Sequence, residues 1–110
     1  MKNRRELIKL ANIAKVIRDA ELQKLAQTVK AHNQTKTMLL QLGDQIAAVE
    51  PKSISDAILA EHHDLWRLQR RIILNKALAR QTAEMLNAKD RASKAFGRAQ
   101  SLNKLSAEKD

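Results

Sequence analysis

Residues 25–86 read LAQTVKAHNQTKTMLLQLGDQIAAVEPKSISDAILAEHHDLWRLQRRIILNKALARQTAEML, and the apolar spacing on either side of Pro51 decides the fold. Ahead of the proline, alternating steps of three and four select Leu25, Thr28, His32, Thr35, Leu39, Leu42, Ile46 and Val49. Behind it the same steps select Ile58, Glu61, Leu65, Leu68, Ile72, Asn75, Ala79, Thr82 and Leu86. That alternation is the seam of a coiled coil. Folding the chain at Pro51 brings Ile46 to Ile58, Leu39 to Leu65, His32 to Ile72 and Leu25 to Ala79, each pair of numbers summing to 104. The interleaved pairs Leu42 with Glu61, Thr35 with Leu68 and Thr28 with Asn75 sum to 103. A constant sum is what two antiparallel helices require. The expected fold class is therefore all-α: residues 1–110 form a single long antiparallel two-helix coiled-coil hairpin.

Pro51 is the one proline, and the chain holds only two glycines. Ala, Leu, Lys, Gln, Arg and Glu, all good helix formers, supply most of the rest. Helix 1 is expected over about 3–49, opening near Asn3 and closing before the proline, which disfavours helix at the residue ahead of it. The turn takes 50–53. Ser53 and Asp56 have capping-box spacing, which starts helix 2 at Ile54 and carries it to about 105. Gly43 reads first as a tolerated glycine near the turn, and secondly as a point where a partner's backbone could come close.

The seam is uneven away from the turn. Leu7, Leu10, Ala14 and Ile17 keep the spacing, but Glu21 follows and the stripe recovers at Leu25 by a four-four step, a stutter that unwinds a coiled coil locally. After Leu86 a set shifted by one residue, Met85, Ala88, Ala92, Ala95, Ala99 and Leu102, is the more apolar. The pattern places the stronger seam near the turn and the weaker one near the termini, with a frayed tail over 106–110. The layer of Thr28 and Asn75 is expected to set the register, with His32 a half-buried polar spacer.

No catalytic set emerges. The chain has no cysteine and no Gly-rich phosphate loop, and its acids Glu21, Glu61 and Glu84 are scattered along the helices. His62 and His63 stand beside Glu61 and Asp64, but adjacent helical residues point about 100° apart and do not chelate together. The reading is of a protein without enzymatic activity, metal or cofactor. No run is apolar enough to span a bilayer, so a cytoplasmic protein is expected.

The net charge of +9 is unevenly placed. Residues 1–30 carry eight Lys/Arg against three acids, residues 71–110 nine against four, and residues 31–70 four against five. On the hairpin this makes the terminal end basic, with Arg4, Arg5, Arg91, Lys94 and Arg98 as its candidate partner-binding groups. A second apolar stripe, Leu59, Trp66 and Ile73, recurs at seven-residue spacing beside the seam. It reads either as seam edge shielded by the stems of Arg67, Arg70 and Arg71, or as a binding face anchored by Trp66.

A basic helix opening with Lys2-Asn3-Arg4-Arg5-Glu6-Leu7 and running through Arg18 and Lys24, returned by Trp66-Arg67-Leu68-Gln69-Arg70-Arg71 and an Ala/Arg/Lys-rich end, resembles the FliJ-type stalk proteins of flagellar and type III export. The resemblance implies a stalk that enters a hexameric export ATPase by its terminal end and touches export-gate or chaperone proteins. Two other classes fit the residues: a basic coiled coil associated with nucleic acid, for which stacking aromatics are scarce, and a homodimeric four-helix adaptor.

Overall fold

Leucine, alanine and long straight-chain residues favour helix over most of the chain, and both long segments are helical. The computed structural model describes residues 2–44 and 52–108. Helix α1 runs Lys2–Asp44 and helix α2 runs Ile54–Ala107, about 65 and 80 Å at 1.5 Å per residue. The two pack antiparallel, giving the two-helix hairpin expected. The seam positions Ile46 and Val49, the end of helix 1 at Val49 and the turn at Glu50 and Pro51 lie outside the described residues.

The helix ends differ in quality. Ser53 Oγ accepts the Asp56 amide at 3.1 Å and Ser53 O accepts that of Ala57 at 3.0 Å, so α2 starts on a side-chain cap. Asp56 in its first turn and Lys104 in its last also suit the helix dipole. Helix α1 has no acid in its first turn and no base in its last. It begins at Lys2, so Asn3 is inside the helix rather than its cap. Ser53→Ala is expected to cost about 1 kcal/mol locally, read as faster amide exchange at Asp56 and Ala57 with the rest of α2 unaffected.

The chain divides into two units, each pairing a stretch of α1 with a stretch of α2. Unit 1 comprises Met1–Lys30 and Ala83–Asp110, and unit 2 is Ala31–Thr82. In unit 1 the covered positions of α1 include Leu7, Ala11, Ala14, Arg18, Glu21, Leu25 and Thr28, and those of α2 include Met85, Ala88, Ala92, Ala95, Ala99, Leu102 and Ser106. Taken in opposite directions the two sets match one for one, Ala14 with Ala99 and Leu25 with Ala88. In unit 2 the corresponding sets are His32, Thr35, Leu39 and Leu42 on α1, and Leu74, Leu78 and Gln81 on α2. Here the register is anchored directly. His32 Nε2 lies 3.0 Å from Thr82 Oγ1. The threonine hydroxyl donates its own hydrogen to Leu78 O at 2.7 Å, so the imidazole is the donor and the threonine oxygen the acceptor.

That bond corrects the register. His32 meets Thr82, ten residues further along α2 than Ile72. Ile58, Leu65, Leu68, Ile72 and Leu86 are consequently exposed. Asn75 is exposed as well, and Thr28 turns its hydroxyl to Leu25 O of its own helix at 2.8 Å. The expected layer of Thr28 and Asn75 does not form. The stutter at Glu21 is likewise absent: Ala11 and Arg18, not Leu10 and Ile17, carry the seam, in unbroken three-four steps. The tail expected from Ser106 is helical to Ala107, with Ser106 Oγ bonded to Asn103 O at 2.9 Å.

The core also sits elsewhere than expected. Six of its buried apolar residues, Ala11, Ala14, Ala88, Ala92, Ala95 and Ala99, belong to unit 1, against Leu42 and Leu74 in unit 2. Alanine lets helix backbones approach closely and loses no side-chain entropy. Each one buries little area, so unit 1 draws its stability from the number of layers rather than from any single residue.

Candidate interaction surfaces

The register determines which large apolar groups are left over. In unit 1, Leu10, Ile13 and Ile17 fall off the seam of α1 onto one flank, about half exposed. With Ala14 they form one wall of a groove of about 710 Å³. Lys94, Gly97, Arg98 and Ser101 of α2, with Ala95 and Leu102, form the other. A Cβ added at Gly97 would meet nothing within 4 Å. The α2 backbone is therefore bare on the groove side, although glycine in a helix interior costs about 1 kcal/mol against alanine. No packing within the hairpin requires it. Gly97 is the groove residue that sequence reasoning passed over; its signal was a glycine inside an otherwise alanine-rich helical run.

The expected basic groups divide around this groove. Lys94 and Arg98 line it, and Lys94 also reaches Asp90 at 3.1 Å in an exposed pair of small energetic consequence. Arg91 is exposed on α2 without lining the groove. Arg4 and Arg5 are exposed in the first turn of α1, where the dipole opposes positive charge by a few tenths of a kcal/mol each. By unit, the charge is fourteen Lys/Arg against seven acids in unit 1 and seven against five in unit 2, or +7 and +2. The contrast is smaller than the hairpin closed at Ile72 implied, because Arg71, Lys76 and Arg80 fall in unit 2.

In unit 2, every residue from 52 to 66 is exposed. Leu59, Trp66 and Ile73 are all exposed, at 67%, 51% and 57%, so no seam edge shields them. The arginine stems leave them open. Trp66 is met from one side by His63, edge to face with ring centroids 6.1 Å apart. Arg67 makes an ion pair with Asp64. His62 and Asp64 border a shallow depression with Glu61, Leu65 and Leu68. Among the described residues no group of three or more His, Cys, Asp or Glu could hold a metal, and no helix is long and apolar enough to cross a membrane.

No protein-family model matches the chain, and no curated protein or solved structure is significantly similar to it.

Proposed function

We propose that the hairpin is a non-enzymatic docking protein whose unit 1 receives an acidic, apolar-faced helix of a partner. The observation that carries this is the groove of Leu10, Ile13 and Ile17 against the bare backbone of Gly97, rimmed by Lys94 and Arg98. An apolar trough with one unobstructed helix backbone suits a second helix at short range, and cationic rims select acids beside that helix's apolar face. Arg4, Arg5 and Arg91 extend the positive field of the same unit and favour the encounter.

The specific form suggested by the resemblance to FliJ-type proteins is a stalk of the flagellar or type III export apparatus, acting in the cytoplasm. Its partner in that form is the hexameric export ATPase, with export-gate or chaperone proteins as further contacts. The test is binding and stimulation of a purified export ATPase by the full chain. Ile13→Glu and Gly97→Leu change the groove without touching the seam, so each is expected to keep the helical signal and weaken binding at least tenfold. Combined reversal of Arg4, Arg5, Arg91 and Arg98 to glutamate is expected to do the same and to remove the salt dependence. Unchanged ATPase binding in all three variants sinks the groove reading. Retention on duplex DNA with a steep salt slope, indifferent to Ile13→Glu, assigns the charge to nucleic acid instead.

A further inference from the structure

The exposed stripe of unit 2 has a property that the groove of unit 1 lacks: it is complementary to itself. Three pairs of neighbours, Ile58 with Leu59, Leu65 with Trp66, and Ile72 with Ile73, recur every seven residues along α2. All six are about half exposed or more, from 49% at Ile72 to 67% at Leu59. The covered positions of the same helix, Leu74 and Leu78, lie on its other side, toward α1. The charge along this stretch changes sign at its midpoint. Residues 54–66 carry Asp56, Glu61 and Asp64 and no Lys or Arg, while residues 67–82 carry Arg67, Arg70, Arg71, Lys76 and Arg80 and no acid. The apolar pattern and the charge pattern share one centre, between Leu65 and Trp66.

A stripe of this kind has one occupant that satisfies both patterns at once. We infer that unit 2 pairs with unit 2 of a second copy of this chain, α2 against α2 and antiparallel, about a twofold axis at Leu65 and Trp66. That arrangement lays Ile58 and Leu59 of one copy over Ile72 and Ile73 of the other, with the two tryptophans near the axis. It also lays each acidic half over a basic half. The parallel alternative sets acid over acid and arginine over arginine, and like charges brought together oppose it. A twofold contact is isologous, so the pair closes and does not propagate into a filament. At half exposure each of the six residues offers on the order of 100 Å², so two copies cover roughly 1,200 Å², the lower edge of a specific interface. The dimer is accordingly expected to dissociate in the micromolar range.

This pairing uses unit 2 alone and does not rest on the docking reading of unit 1. The test is sedimentation equilibrium of the full chain over a concentration series. The unaltered chain is expected to move from one copy to two, and Trp66→Asp is expected to remain a single copy with its helicity unchanged. Charge supplies the sharper arm. Arg70→Glu, Arg71→Glu and Lys76→Glu together take the charge of residues 67–82 from +5 to −1, so that no basic half faces the acidic one, and are expected to weaken association at least tenfold. Adding Asp56→Lys, Glu61→Lys and Asp64→Lys inverts the polarity and is expected to restore it. The absence of cysteine allows direction to be read by cross-linking: a mixture of Leu59→Cys and Ile73→Cys chains is expected to form the mixed disulfide in preference to either self-disulfide. A chain that stays single at every concentration, an inverted variant that does not recover, or predominant self-cross-linking of Leu59→Cys each overturns the inference.

Discussion

Leu74→Ala is expected to lower the stability of the hairpin by about 2–4 kcal/mol, while Ile72→Ala, two positions away, stays within about 1 kcal/mol. Leu74 is 6% exposed and Ile72 49%. Among the described residues, Leu74 and Leu42 are the two large residues of the buried apolar core. Its truncation removes three carbons from a seam with few neighbours able to close over the space. The comparison discriminates between registers as well as measuring a residue. With His32 over Ile72, Ile72 is a seam residue and its loss the costly one; with His32 bonded to Thr82, the order reverses. Urea denaturation followed by circular dichroism reads the difference, at a concentration where sedimentation finds one copy. Without that precaution, self-association through Ile72 adds its own contribution. A costlier Ile72→Ala under those conditions refutes the register.

The hairpin was legible in residues 25–86 because Pro51 and long three-four periodicity are strong signals. The seam of α1 from Leu25 to Leu42 was read from the sequence position by position. What misled the reading on α2 was side-chain size. Ile58, Leu65, Leu68 and Ile72 form a stripe of larger residues than Ala88, Ala92, Ala95 and Ala99, and apolar weight alone selects the larger one. Yet the alanines, with Leu74, Leu78 and Met85, hold a single phase over the whole pairing, whereas the larger stripe loses it after Leu86. Charge misled the reading on α1 in the same way. Leu10 and Ile17 keep the spacing in place of Ala11 and the charged Arg18, so Glu21 looks like a break that Leu25 repairs. In the fold the charged pair stays in the seam and the leucine and isoleucine go to the groove. The stripe of Leu59, Trp66 and Ile73 was visible from the start. The groove was not, because Leu10 and Ile17 fit the seam spacing as well as Ala11 and Arg18 do, and a lone glycine inside a helix carries no mark of what lies beside it.

Glu21 is the seam residue whose replacement is expected to stabilise the fold most: Glu21→Leu should add about 1–3 kcal/mol. Its carboxylate is largely covered. Oε2 is buried without a hydrogen-bond partner, and Oε1 is 3.7 Å from Lys24 Nζ, a long contact to an exposed lysine. A half-satisfied carboxylate in a seam bears a desolvation cost that a surface ion pair of this length does not repay. Leucine removes that cost, keeps a similar side-chain reach and adds apolar area where Ala92 aligns with Glu21. Glu21→Gln removes the charge but keeps a buried polar end, so it is expected to fall between the two. The ordering Leu over Gln over Glu in urea midpoint separates an unsatisfied buried acid from a simple gain in helix propensity, which differs little among these three residues. If Glu21→Leu proves neutral or destabilising, the carboxylate is satisfied in solution and the seam tolerates it at no cost. If the ordering holds, the alanine seam of unit 1 carries a removable weakness one turn from the wall of Leu10, Ile13 and Ile17. The Glu21→Leu chain then also reports on docking: a partner that only needs the groove should bind it unchanged, and one that needs the two helices to shift against each other should bind it less well.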